Sequence, residues 1–236
     1  MATAPAEPSR KRRRMTSQAP AGVPDSSTPF APELPLPQRM DVLEAMRTQV
    51  AMRWFTEEPV THEQLMTVLW AATRAPSPGN TQGWDFLVVT EPELKRKIRD
   101  AIVPLREKLE AVTDTPPGRQ KLRAGSLNLM AHLDKLPVLI FVCGKPVFPA
   151  DNPRLDMMYS ALYGATQNLM LAARAVGLAT VMTTLHSAFE PVIRPMLGVP
   201  DDIHLASMIP VGRPARPHTA VKRKPVEDFV HWNTWA

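Results

Sequence analysis

The residues able to do acid–base, nucleophilic or metal chemistry are few and scattered. Six histidines are spread along the chain, and the one cysteine, Cys143, stands alone. A single thiol excludes an intramolecular disulfide and any Cys₄ or Cys₂His₂ zinc site. His62-Glu63-Gln64-Leu65-Met66 opens like the zinc-binding helix H-E-x-x-H, but methionine stands where the second ligand must be. Neither glycine pattern that cradles phosphates occurs, and no G-x-S-x-G nucleophile elbow is present. His186 lies in an apolar-rich turn near a strand end, where a hydrogen-bonded structural histidine is favoured over a functional one. A chain so poor in acid–base groups points, if it is an enzyme, to chemistry borrowed from an organic cofactor.

The elements that must position such a cofactor begin after a distinct N-terminal stretch. Residues 1–38 hold eight of the 26 prolines, one aromatic (Phe30) and no periodicity, and are expected to be a disordered tail. Residues 39–236 are expected to form one domain. The tail carries Arg10-Lys11-Arg12-Arg13-Arg14, which reads as an address, an anionic-surface contact or a plain solvated tail. Translation starting at Met15 or Met40 is the further alternative. No apolar stretch follows the charges, so the run does not read as a secretory signal. The whole chain has 28 Lys+Arg against 23 Asp+Glu, a formal charge of +5. Five of those basic and three of those acidic groups lie in the tail, leaving +3 on the rest. That mild excess does not argue for nucleic acid. No apolar run approaches the 18 residues of a membrane helix. The expectation is a cytoplasmic protein with neither nucleic acid nor membrane as partner.

Apolar spacing predicts a helix over residues 41–53, then a helix capped by Thr61 and Gln64 that stops before Pro76. A turn cluster at residues 75–80 precedes a strand over 84–90, and Pro92 opens another helix. Residues 112–119 read as a loop, with a helix over roughly 122–133. The unbroken apolar run 138–143 suits a strand buried on both faces. The strongest helix runs over 155–176 with Gly177 at its end, and its apolar arc is too wide for a surface helix. Strands over 180–184 and 205–212 flank a short helix over 189–197 closed by Gly198. The tail from Arg213 onward shows no partner of its own. Loose alternation of helices and strands makes the class α+β, a central sheet flanked by helices.

Four segments together resemble the nitroreductase family of flavin enzymes. Arg47-Thr48-Gln49-Val50-Ala51-Met52-Arg53-Trp54-Phe55, followed by Pro59-Val60, is similar to R-R-S-x-R-x-F…P-V. Residues 71–86, AATRAPSPGNTQGWDF, resemble A-A-x-x-A-P-S-x-x-N-x-Q-P-W-x-F and are the most specific of the four. Residues 163–178, YGATQNLMLAARAVGL, look like the family's central helix. Ile209-Pro210-Val211-Gly212-Arg213-Pro214, with Lys222-Arg223-Lys224-Pro225 downstream, completes the set. The resemblance covers about residues 40–236.

It implies an interlocked homodimer with FMN at the subunit interface. It also implies NADPH or NADH as electron donor and a small-molecule electron acceptor such as a nitroaromatic or quinone. No catalytic side chain is implied, since the flavin carries the chemistry. Arg53, Lys222 and Arg223 match the basic residues that hold the phosphate, and are expected to converge on it. Pro76, Ser77 and Asn80 match the loop that lines the isoalloxazine, and Asn80 could equally serve to hold the turn. Thr183, Thr184 and Leu185 match the segment whose backbone faces flavin N5 and O4; Thr184 could add a hydroxyl or be an ordinary strand threonine. Trp232 and Trp235 are expected to pack on the partner subunit, with docking on their own subunit as the alternative.

The chain departs from the first of these patterns at three positions, and Gly83 stands for the proline of the second. Gln49 or Val50 stands where the family has its leading arginine, and Ala51 stands where it has serine. Each lost charge-assisted hydrogen bond is worth about 1.5–3 kcal/mol. These departures keep a second class in play, a nitroreductase-fold dimer with weakened or lost FMN binding that acts as a non-catalytic ligand-binding protein.

Overall fold

The computed structural model describes residues 30–32 and 40–235. The rest of the expected tail, including the basic run at 10–14, lies outside the described residues.

The first helix, α1 (Val42–Thr48), is capped by Asp41, whose side chain accepts from the Leu43 and Glu44 amides. It stops well short of the expected residue 53. From Met52 onward the backbone finds better partners elsewhere: Met52 N bonds to Thr180 O at 3.0 Å and Thr56 N to Arg213 O at 3.0 Å. Paired backbone groups leave no reason to continue the helix. α2 (His62–Ala72) carries the expected Thr61–Gln64 capping box. β1 (Trp84–Val89), α3 (Pro92–Glu110), β2 (Val138–Gly144), α5 (Leu155–Ala175), α6 (Glu190–Leu197) and β4 (His204–Gly212) fall close to their expected places. α4 (Pro117–Ala131) starts earlier than expected, because Pro117 fits a first helical turn. Of the expected strand at 180–184, only β3 (Ala179–Thr180) is paired continuously, and Thr183 rejoins the sheet as a lone bridge to Met208.

The sheet runs β1-β2-β4-β3, antiparallel throughout. β2 is buried along its whole length, as its apolar run requires. Alternate side chains feed two cores. On one face Val138, Ile140, Val142, Ala206 and Ile209 meet α2 and α5. On the other, Leu139, Phe141, Cys143, Leu205 and Met208 meet α3, α4 and α6. α5 lies under the middle of the sheet, with Leu162, Ala165, Leu169 and Ala173 fully enclosed.

The C-terminal tail does have a partner, contrary to the sequence expectation. Residues 213–221 return antiparallel along the segment after α1 and reach its last turn: Ala215 N bonds to Trp54 O at 3.0 Å and Val221 N to Arg47 O at 3.2 Å. No sequence period signals this pairing. At the other terminus, Phe30 and Ala31 lie in an open groove with Met66, Leu69, Trp70 and Phe86.

Candidate active site

Arg53 sits where three elements meet. Its carbonyl accepts from Asn128 Nδ2 of α4 at 2.8 Å, which ties the 52–56 segment to that helix. Its side chain and that of Trp54 both press on Gly125. A Cβ there would come within 2.8 Å of Trp54 Cη2 and 3.0 Å of Arg53 Cδ. The result is a cleft of about 210 Å³ lined by Arg53, Trp54, Phe55, Asn128, His132 and Lys135, among others. The Arg53 guanidinium donates to Ala51 O at 3.3 Å and has no carboxylate partner among the described residues. Half-burial strips it of water and lowers its pKa from the ordinary arginine value. Lys135 is 3.6 Å from Glu57, and Arg216 stacks on the Trp54 ring at 3.6 Å from its centroid. The cleft is thus apolar-walled with a surplus of positive charge. Asn128, His132, Lys135 and Trp54 were not singled out from sequence. Their spacing marks nothing, because α4 and the 52–56 segment are brought together only by the fold.

Lys222 and Arg223 are exposed and follow the Val221–Arg47 bond. The antiparallel return therefore sets them beside Arg47, while Arg53 faces residues 215–216 at the other end of the pairing. The structure brings Lys222 and Arg223 to α1 and directs Arg53 into the cleft.

The 76–80 loop owes its shape to backbone geometry. Gly79 and Asn80 have φ of 60° and 50°. At Gly79 a Cβ would lie 2.6 Å from Phe148 Cε2, so glycine is required. Asn80 is a residue type that tolerates this conformation, and its N–H donates to Ser77 O at 2.9 Å. Ser77 Oγ accepts from the Gln82 amide at 3.0 Å. Pro76 and the Asn80 side chain are exposed. The loop enters β1 at Trp84, which pairs with Gly144 and, through it, with His204. Arg53 lies by Thr180 and Arg213, at the Val211–Gly212 end of the same β4. Seven strand residues separate the two ends, roughly 24 Å. Pro76, Ser77 and Asn80 are therefore not brought to Arg53 within one chain.

Thr183, Thr184 and Leu185 lie along the β3 edge. Thr183 exchanges backbone bonds with Met208 (3.1 and 2.9 Å) and its Oγ1 donates to Met208 O at 2.8 Å. Thr184 is exposed, and its carbonyl accepts from the Ser187 amide and hydroxyl. His186 is structural: it is buried, bonds through Nε2 to Leu205 O at 3.0 Å and stands edge-on to Phe141. Burial pushes the Cys143 thiol up to about 12, so it is no nucleophile. Among the described residues no three or more His, Cys, Asp and Glu gather as a metal site, and no helix is long and apolar enough to cross a membrane.

This arrangement fits FMN in its donor chemistry. An uncompensated guanidinium in an apolar-walled cleft suits the electron-rich edge of a flat heteroaromatic ring. A second group of exposed cations beside α1 suits a phosphate.

A sequence profile of the nitroreductase family matches residues 46–213. Iodotyrosine deiodinase 1 of Rattus norvegicus is 32% identical over 200 residues, which span 79% of this chain and 67% of the deiodinase. A protein of Archaeoglobus fulgidus, provisionally named NADH dehydrogenase/NAD(P)H nitroreductase, is 26% identical over 74% of this chain and 86% of its own length. Among solved structures, oxidized iodotyrosine deiodinase bound to FMN and 3-iodo-L-tyrosine superposes with a TM-score of 0.67 at 25% identity. It covers 83% of this chain and 100% of that one.

Proposed function

The chain belongs to the nitroreductase family, and from that premise we propose that it is an FMN-dependent NAD(P)H oxidoreductase working as a homodimer. The observation that carries the reading is the half-buried Arg53 guanidinium in its cleft, without a carboxylate partner among the described residues. Bound FMN would supply hydride transfer, from NADPH or NADH to an electron-poor acceptor such as a nitroaromatic or quinone.

The protein's tasks are then to bind, orient and polarise. Arg53 offers positive charge to the ring edge that gains electron density. Trp54 and Phe55 exclude water from that side. Lys222 and Arg223 attract the phosphate. Backbone N–H groups of Thr184 and Leu185 are the expected donors toward N5 and O4, since that of Thr183 is spent on Met208; backbone donors account for the lack of any acid or base among the candidate residues. Pro76, Ser77 and Asn80 serve the ring from a second copy of the chain, because their own Arg53 lies at the far end of the sheet. Two exposed apolar surfaces agree with such pairing: Val42, Leu43 and Met46 on α1, and Phe229, Trp232 and Trp235 in the tail.

The likeness to iodotyrosine deiodinase favours a second reading of the same site. In it the acceptor is a halogenated aromatic ring, which takes two electrons and a proton and releases halide.

The test is an absorbance spectrum of the purified protein with FMN, then with NADPH or NADH under anaerobic conditions. Flavin bands that bleach with nicotinamide are expected. Nitroaromatic, quinone and iodophenol acceptors are then compared, with released iodide measured separately. Iodide release without nitro reduction would replace the first reading with the second. A protein that takes up no FMN would overturn both and leave the non-catalytic dimer.

A further inference from the structure

The three positions where the family pattern calls for cations and a hydroxyl offer neither in this fold. Gln49 caps α1, and its Nε2 lies on Met170 Sδ at 3.8 Å. Val50 is half-buried, and Ala51, which has only a methyl to offer, faces Thr180 in a bridge made by the Met52 N–H. Arg47, two residues earlier, is held by Glu44 in a two-pronged pair of 2.7 and 2.8 Å. Its charge is already compensated.

A different cation occupies this corner. Arg174 stands one turn beyond Met170 on the same face of α5. Its Nε donates to Thr48 Oγ1 at 3.0 Å, and Thr48 Oγ1 in turn donates to Glu44 O at 2.7 Å. The side chain is thereby aimed at the end of α1, beside Gln49. Arg174 is half-buried and forms no ion pair among the described residues, and its two terminal nitrogens have no protein acceptor there. His218 of the returning tail lies within reach of the same charge: burial first, then the Arg174 charge, push its pKa below the ordinary histidine value, against a backbone bond at Thr48. Three residues on, Val221 bonds to Arg47 O, and Lys222 and Arg223 follow. The backbone thus brings Lys222 and Arg223 to the same end of α1 as Arg174, whose charge helps lower the pKa of Glu44 and whose guanidinium fork is left open among the described residues.

A cation in the last turn of α5 is favoured by the helix dipole alone. The dipole does not account for the bond that turns the guanidinium toward α1, nor for the open fork. We propose that Arg174 binds the terminal phosphate of FMN together with Lys222 and Arg223, in place of the cation missing at positions 49 and 50. The proposal rests on the FMN reading above. It makes the phosphate site of this chain depend on α5 and the tail rather than on the segment after α1.

The test is flavin fluorescence titration of the full chain, freed of bound flavin, with FMN and riboflavin in parallel. Riboflavin lacks only the phosphate. Arg174→Gln is expected to weaken FMN about ten- to hundredfold, the worth of one or two charge-assisted hydrogen bonds. Riboflavin should change less than about twofold on the same grounds. Arg174→Lys, which keeps the charge and loses the fork, should fall between. Melting curves confirm that each variant is folded. Equal affinities of Arg174→Gln and the parent for FMN would overturn the proposal, as would equal losses for FMN and riboflavin. Should the glutamine variant not fold, the lysine variant decides: an FMN-to-riboflavin ratio equal to the parent's overturns it. A parent protein that binds neither flavin removes the FMN reading itself, and the proposal with it.

Discussion

Asn128 Nδ2 donates to the carbonyl of Arg53 at 2.8 Å, across 75 residues of sequence. This bond holds α4 against the segment that follows α1, and so sets the width of the cleft. Asn128→Ala removes it and leaves a half-buried carbonyl without that donor. The expected cost is about 1–2 kcal/mol, a fall in melting temperature of roughly 2–8 °C for a domain of this size. FMN affinity should fall as well. Differential scanning fluorimetry and a flavin titration check the two parts separately.

Gly125 is the floor on which Arg53 and Trp54 rest. Gly125→Ala puts a methyl 2.8 Å from Trp54 Cη2. The indole is rigid and has the Arg216 guanidinium on its ring, so it cannot yield without losing that contact. Overpacking of this kind costs about 1–3 kcal/mol. Alanine is the better helix former, which returns up to about 1 kcal/mol. A net loss of stability with a shifted tryptophan emission is expected. Unchanged emission and stability would show that the indole is not seated on α4.

His186 makes folding sensitive to acid. Burial is the main cause that holds its pKa below the ordinary histidine value; the bond to Leu205 O and the charge of Glu190 oppose it less strongly. The folded state therefore binds a proton less readily than the unfolded chain. The sign follows: its full contribution to stability is present above about pH 6.5, the unfolded value. It is lost as the pH falls from there toward the folded pKa. Urea midpoints at pH 7.5, 6 and 5 should decline. His186→Gln should be less stable at pH 7.5 and should decline less over the same range. Parallel declines in the two proteins would assign the acid sensitivity elsewhere.

The tail past Pro225 exposes its largest side chains, Trp232 at 81% and Trp235 at 86%. Surfaces of this kind are expected to be covered by a partner. A chain ending at Pro225 should shift from dimer toward monomer in sedimentation velocity runs. It should also bind FMN more weakly, because the 76–80 loop would no longer arrive from a second copy. A truncated chain that stays dimeric would assign the contact to α1 instead.

Much of the fold is legible in local pattern, because the reasons for it are local. The Thr61–Gln64 box starts α2, Pro92 starts α3, and Gly198 ends α6 in a left-handed turn. The unbroken apolar run of β2 announces a strand with both faces buried. Local pattern failed where backbone pairing reached across the chain. Val50 prolongs the helical spacing of Val42 and Met46, yet the segment is extended, because Thr180 and Arg213 satisfy its backbone. The same pairing captures a tail in which no periodicity could be seen.

The sequence by itself determined the class, the family and the residues that carry the resemblance, since each motif is a short run whose chemistry is local. It also marked residues 49–51 as positions that depart from the family pattern. Only the tertiary structure decided which residues stand together. It turned Arg53 into a cleft with Asn128, set Lys222 and Arg223 beside Arg47, and brought Arg174 to Thr48 across 126 residues. It also placed the 76–80 loop at the far end of the sheet from Arg53. Contacts of this kind depend on how α5, the sheet and the returning tail pack as solid bodies, and no window of sequence contains both partners.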